Sequence, residues 1–300
     1  MFIVIQPKSW DDMRHLVSQM QGKWVFRGQS NSEWGLSSSL ERTLPQIIQD
    51  NDKKDGERQK IIENKEKLLL REFKRRAHHY ILSLPVDSES LEWLALIQHY
   101  GGATRLLDFS HSFYVAAFFA VEENKREYEN SAIWGISLTN IDKIIQQKID
   151  DRYKNIIIKK NNAEYIKLAH EIFSNSTSNR FVFGVEPERM NERLAIQQGL
   201  FLFPGNVGAT FEENLANLFD SKSTIFLNTP SITYEPGIQT ALQNGIMALA
   251  LNYVVVLKII IPQYLREEML KDLWKMNVSS ATLFPGIDGF THSLNYHLLE

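Results

Sequence analysis

The chain of 300 residues contains no cysteine. That absence excludes disulfides, thiol nucleophiles and cysteine-ligated zinc, and it predicts a cytoplasmic setting. An excess of either charge is also missing: 33 Lys and Arg stand against 36 Asp and Glu, a formal net charge of −3. A dominant nucleic-acid footprint, which clusters surplus cations on one face, is therefore not expected, although a local basic patch is compatible with this balance. No apolar run is long enough to span a bilayer. The most apolar stretch, residues 253–261, is short, β-branched and interrupted by Lys258, as befits a central strand. The opening segment Met1 to Pro7 is too short in its apolar run, and lacks the basic flank, for a secretory signal, so no membrane partner is expected. The P-loop, the dinucleotide GxGxxG fingerprint, the GxSxG elbow and the HExxH zinc motif are all absent. His78 with His79, and His292 with His297, lack metal-ligand spacing with nearby carboxylates, so no metal site is expected.

What the chain does have is a composition, 43% hydrophobic and 23% charged, that supports a sizeable core. A first helix is expected from Ser9 as N-cap to about Gln21-Gly22, followed by a strand over 23–27. Strand alternation puts Trp24 and Phe26 on one face and Val25 and Arg27 on the other. A long helix is expected over 57–82 after a solvated loop, Asp50 to Gly56, with helices at 91–100 and 113–123. Further strands are read at 132–138, 181–185, 199–203, 223–227 and 253–261, and helices near 141–149, 161–174, 187–197, 237–250 and 262–275. The irregular alternation predicts an α+β fold with a mixed or antiparallel central sheet and flanking helices. We read one domain over 1–300, with a helical insertion at 40–90 and a variable insertion at 148–180.

The run Gln98 to Ser110, QHYGGATRLLDFS, concentrates polar and ionisable groups in a core-like setting. The helix before it, from Leu91, is apolar on nearly every face and is stopped by Gly101 and Gly102. Gln98, His99, Arg105 and Asp108 must then satisfy one another or surround a polar ligand. Arg105 and Asp108, three apart, would make an internal ion pair. Ser110 or Ser112 caps the helix Phe113 to Val121, whose N-terminal amides would accept a diphosphate. The apolar face of that helix is core. Arg27 either pairs with a carboxylate at a strand end or holds a phosphate or carboxamide bidentately, with Gly28 allowing close backbone approach. Gln198 reads a ligand or satisfies backbone groups, and Asp288 caps the last helix.

Phe26-Arg27-Gly28-Gln29, the 98–110 run, the helix at 113–120, QQGLFLFPG at 197–205 and ATLFPGIDGFTHSL at 281–294 together resemble the FRG domain family, named for its Phe-Arg-Gly tripeptide. Their order and character are also similar to the ADP-ribosyltransferase layout, in which a first strand supplies an aromatic-Arg-Gly, a second a Ser/Thr element and a third a glutamate. That resemblance implies an ADP-ribosyltransferase-like core and a site for NAD or a related nucleotide. It implies binding residues Arg27, Gly28, Gln29, Gln98, Tyr100, Thr104, Arg105 and Ser110, and a catalytic group of His99, Asp108 and Gln198. Gln198 stands where the transferase glutamate belongs, which leaves Asp108 as the carboxylate able to stabilise an oxocarbenium-like state. The implied activity is transfer of ADP-ribose to a protein or nucleic-acid acceptor, or NAD hydrolysis, in a bacterial toxin or phage-defence context. The alternatives are a non-catalytic nucleotide or nucleic-acid binding module and an RNA-directed toxin. Arg27, His99, Arg105, Asp108 and Gln198 are expected to line one cleft.

Overall fold

In a computed structural model describing residues 2–48, 55–122, 130–148, 153, 161–218, 254–294 and 296, the strands form one seven-stranded sheet. They are β1 (Phe2–Ile5), β2 (Trp24–Gln29), β3 (Leu107–Ser110), β4 (Ser131–Ser137), β5 (Val182–Val185), β6 (Gly199–Pro204) and β7 (Val256–Ile261). The spatial order is β1-β7-β4-β2-β3-β6-β5, antiparallel except where β1 runs parallel to β7. The expected mixed α+β architecture is therefore present. The strand and helix expected at 223–227 and 237–250 lie outside the described residues.

Thirteen α-helices are described around this sheet. Before β3 come α1 (Trp10–Ser18), α2 (Ser39–Thr43), α3 (Pro45–Ile48), α4 (Asp55–Ala77) and α5 (Ser90–His99). The middle of the chain supplies α6 (Phe113–Val121), α7 (Leu138–Lys148), α8 (Asn162–Asn175), α9 (Glu192–Ile196) and α10 (Phe211–Ala216). After β7 follow α11 (Arg266–Lys275), α12 (Ser280–Leu283) and α13 (Ile287–Ser293). None of these is long and apolar enough to cross a membrane.

Alternation along the strands sorts the core into two layers. Trp24 and Phe26 of β2, with Leu257 and Ile259 of β7, pack against Trp10 and Met13 of α1, Phe113 and Phe118 of α6, and Met269 and Leu273 of α11. Val25, Trp134 and Val256 join a second cluster built with Leu91 and Leu94 of α5, Ile141 of α7, Leu168 of α8 and Phe201 and Phe203 of β6. Two of the predicted N-caps are present: Ser9 Oγ accepts from the Asp12 amide at 3.1 Å and Ser112 Oγ from the Val115 amide at 3.3 Å.

Several boundaries differ from those read in the sequence. Helix α1 stops at Ser18, and α4 covers 55–77 rather than 57–82, its end turning through backbone bonds from His79 to Arg76 and from Tyr80 to Ala77. Helix α9 is shorter than 187–197 because the Asn191 side chain, accepting from the Leu194 amide at 2.8 Å, caps it four residues after Pro187. Asp288 does not cap α13. The N-cap is Gly286 at φ 109°, and Asp288 sits in the first turn, where its charge suits the helix dipole.

Gly28 shows how tightly the layers meet. A Cβ built there would stand 2.0 Å from the Ala116 carbonyl oxygen and 2.5 Å from the Ala120 nitrogen. The glycine thus admits the backbone of α6 against the sheet, and the small residues Ala116 and Ala120 complete the contact. Neither obstacle is a flexible side-chain tip, so Gly28→Ala forces strand and helix apart. We expect a loss of about 1–3 kcal/mol or more, measured as a lower urea midpoint at unchanged m-value. A variant as stable as the parent would show that α6 is free to shift.

Candidate ligand-binding site

The site begins with Thr104, which is fully buried just after the glycine stop of α5. Its backbone N–H donates to Ser39 Oγ at 3.0 Å and its carbonyl accepts from Leu40 N–H at 3.0 Å, so α2 clamps it from one side. On the other side its hydroxyl donates to Gln98 Oε1. That contact fixes the orientation of the Gln98 amide, whose Nε2 then donates to Asp108 Oδ2 at 2.8 Å. Arg27 completes the series: Nη1 donates to the Asp108 carbonyl oxygen at 2.8 Å and lies 3.9 Å from Oδ2. Thr104, Gln98, Asp108 and Arg27 therefore form one polar relay from the buried interior to β2.

The relay opens on a cavity of about 840 Å³ between β2, β3, α5, α6, the loop at 30–37 and α9. Among the residues expected from sequence, Arg27, Gly28, Gln29, Gln98, His99, Asp108 and Ser110 line it. Thr104 stands behind the wall through Gln98, and Tyr100, 61% exposed, turns its ring edge to His99 outside it. Arg105 and Gln198 do not join it, so the expected five-residue cleft is three-fifths assembled.

The reasons are local. Arg105 is buried against Glu66 of α4, its Nε lying 3.0 and 2.9 Å from the two carboxylate oxygens. The expected Arg105–Asp108 pair is therefore replaced by two others, Arg105–Glu66 and Arg27–Asp108. Gln198 occupies the left-handed region at φ 49° in the turn from α9 to β6, with its amide donating to Ala195 O and its carbonyl accepting from His111 N–H. That turn leaves its side chain exposed, and Gln197 lines the cavity instead, with Nε2 donating to Leu283 O at 3.0 Å. Ser110 Oγ donates to the Gln197 carbonyl at 2.7 Å and accepts from Ser112 N–H at 2.9 Å, holding the exit of β3 to the start of β6. The cavity also meets α6 at Val115, Ala116 and Phe119, whereas the cap Ser112 and the first two helical residues, Phe113 and Tyr114, do not line it. Gly28 is required by the backbone of α6, which accounts for that residue without a ligand.

Residues not singled out in the sequence complete the walls: Glu33 and Trp34 in the loop after β2, Arg42 of α2, Asn191 and Arg193 around α9, and Phe284 after α12. Arg193 places its guanidinium 4.7 Å from the Phe284 ring centroid. Arg42 falls at the start of a segment read as an insertion, and Phe284 in a motif read as a turn. No motif read in the sequence pointed to them as cavity residues.

Electrostatics favour an anion beside Arg27. Burial pushes its guanidinium below the ordinary arginine pKa, Arg42 adds to that, and Asp108 opposes it; an arginine stays protonated regardless. Its Nε is buried and has no hydrogen-bond partner among the described residues. A planar fork with an unused donor suits a phosphate or carboxylate ligand. His99, at the C-terminal end of α5, is held below the usual histidine pKa by partial burial and then by Arg193, both of which disfavour its protonated form.

Next to Arg42, Glu41 accepts from the Phe211 amide at 2.7 Å, and burial pushes its carboxyl from 4.5 to about 8. Because the folded form holds this proton more tightly than the unfolded chain, the contribution of Glu41 to stability falls as pH rises from about 4.5 to about 8. Glu41→Gln, which mimics the protonated state, is expected to flatten that slope and to be relatively more stable than the parent at pH 8.5 than at pH 5.5. Denaturant melts at the two values check it; a slope unchanged by the substitution would assign the pH dependence elsewhere.

Residues 22–129 match the family model of the FRG domain, and the chain carries an FRG domain. The matched span holds Phe26-Arg27-Gly28, the 98–110 run and α6, while β4 to β7 and the C-terminal helices continue the fold beyond it. No curated protein and no solved structure matches the chain.

Proposed function

We propose that this cavity binds NAD or a related nucleotide and supports ADP-ribosyl chemistry, either hydrolysis of NAD or transfer of ADP-ribose to a macromolecular acceptor. The observation that carries the reading is the convergence of Arg27, with its unused buried donor, and Asp108, with a fixed carboxylate, in one cavity large enough for a dinucleotide. In this reading Arg27 holds a phosphate. Breaking the bond between ribose C1′ and the nicotinamide nitrogen sends the electron pair to the pyridine ring and leaves an oxocarbenium-like sugar. Asp108 meets that positive charge. His99 takes the proton from the attacking water or acceptor hydroxyl.

One contact favours a second reading. Arg27 lies 3.9 Å from the Asp108 carboxylate and offsets part of its charge, which weakens stabilisation of a cation and suits a module that binds a nucleotide without cleaving it.

Purified protein incubated with NAD separates the two. If the site cleaves NAD, free nicotinamide appears, Asp108→Asn binds NAD normally but turns over roughly 10²-fold or more slowly, and Arg27→Ala loses affinity. Binding with no nicotinamide released by the parent establishes the module, and no binding by the parent overturns both. Gln198→Glu puts its charge outside the cavity and is expected to leave binding unchanged.

A further inference from the structure

Of the six tryptophans, Trp34 alone is more than half exposed, at 54%, while Trp10, Trp24, Trp93 and Trp134 are buried and Trp274 is half-buried and stacked on Tyr296. A single exposed apolar residue is common on any surface. This one differs in how its backbone is held. The Trp34 amide donates to Asn31 O at 3.3 Å, and its carbonyl accepts from Lys258 Nζ of β7 at 3.5 Å. The Gly35 carbonyl accepts from Gln29 Nε2 at 2.9 Å, and the Leu36 amide donates to Glu212 Oε1 of α10 at 2.9 Å. Two of these partners are half-buried ionisable groups: burial raises the Glu212 carboxyl pKa and lowers that of the Lys258 ammonium. Gln29 is itself fixed, accepting from Trp134 Nε1 at 2.7 Å. A Cβ on Gly35 would stand 2.3 Å from Glu212 Oε1, so the loop closes tightly onto that carboxylate.

Three separated elements thus hold a short loop rigid while its large aromatic side chain remains uncovered. Trp34 lines the cavity that Arg27 and Arg42 also line. A pre-positioned aromatic face beside guanidinium groups has the chemistry of a site for a planar ring attached to a phosphate, since stacking loses little side-chain freedom when the platform is already fixed. We propose that Trp34 is the stacking platform for the heteroaromatic base of the ligand. The proposal rests on the nucleotide reading of the cavity, extends it to the base, and does not require that the nucleotide be NAD.

The test titrates the parent, W34F and W34A with AMP, GMP, CMP, UMP, NAD and ribose 5-phosphate, following tryptophan emission and, separately, calorimetric binding. At least one base-containing ligand is expected to quench the emission of the parent. W34F should bind that ligand within a few-fold of the parent but lose the quench, and W34A should bind it roughly five- to a hundredfold more weakly. Ribose 5-phosphate, which has no base, should bind all three alike. The proposal is overturned if no base-containing ligand quenches the parent, if W34A binds the quenching ligand as tightly as the parent does, or if W34A loses ribose 5-phosphate to the same degree. Quenching by a mononucleotide without binding of NAD supports the platform and overturns NAD as the ligand.

Discussion

The arrangement depends first on the buried pair of Arg105 and Glu66, whose side chains are 2% and 1% exposed. The guanidinium lies 5.3 Å from the ring centroids of both Phe173 of α8 and Phe203 of β6, so one cation ties α4, the approach to β3, α8 and β6 together. Such a pair is weak evidence for net stability, but removing either partner strands a charge in the interior, at a cost of about 3–5 kcal/mol. Its value here is positional. With Arg105 fixed, the preceding residue, Thr104, has one place to stand, between α2 and Gln98, and the orientation of Asp108 follows from Gln98.

That dependence explains why the residue class at 98–110 was legible and the partnerships were not. A dense polar run in an apolar setting announces that its members must find partners, and they do. Sequence spacing offered Asp108 as the partner of Arg105. It could not show that α4 delivers a buried glutamate from thirty-nine residues earlier. The elements were read well where periodicity was strong: Ser9 and Ser112 as caps, the two faces of β2, the core character of α6. Helix ends were read less well wherever a side-chain cap such as that of Asn191, or a turn such as that after Ala77, decided the boundary. Gln198 was misplaced because a positive φ is invisible in a non-glycine residue, and that one backbone angle exchanges it with Gln197 at the cavity.

The same relay that makes the site makes it stiff. Thr104, Gln98 and Asp108 are each held by two or more bonds, and Ser110 closes β3 onto the start of β6. By contrast, Arg193 and His99, which also line the cavity, are exposed. A ligand would thus meet groups held by the relay, at β2, β3 and Gln98, and exposed side chains, His99 and Arg193, at the ends of α5 and α9.

The outermost pairing of the sheet sets the order in which the molecule can be completed. Among the described residues, strand β1 pairs with β7 alone, Phe2 opposite Val256 and Ile5 opposite Ile259. Strand β1 is made long before β7, and in the interval Ile3 and Ile5 lack the strand that pairs with theirs. A contact of such wide sequence separation is slow to close, and the waiting segment is exposed to wrong partners. Strand β1 is therefore among the last elements to be secured although it precedes β2 to β7 in the sequence.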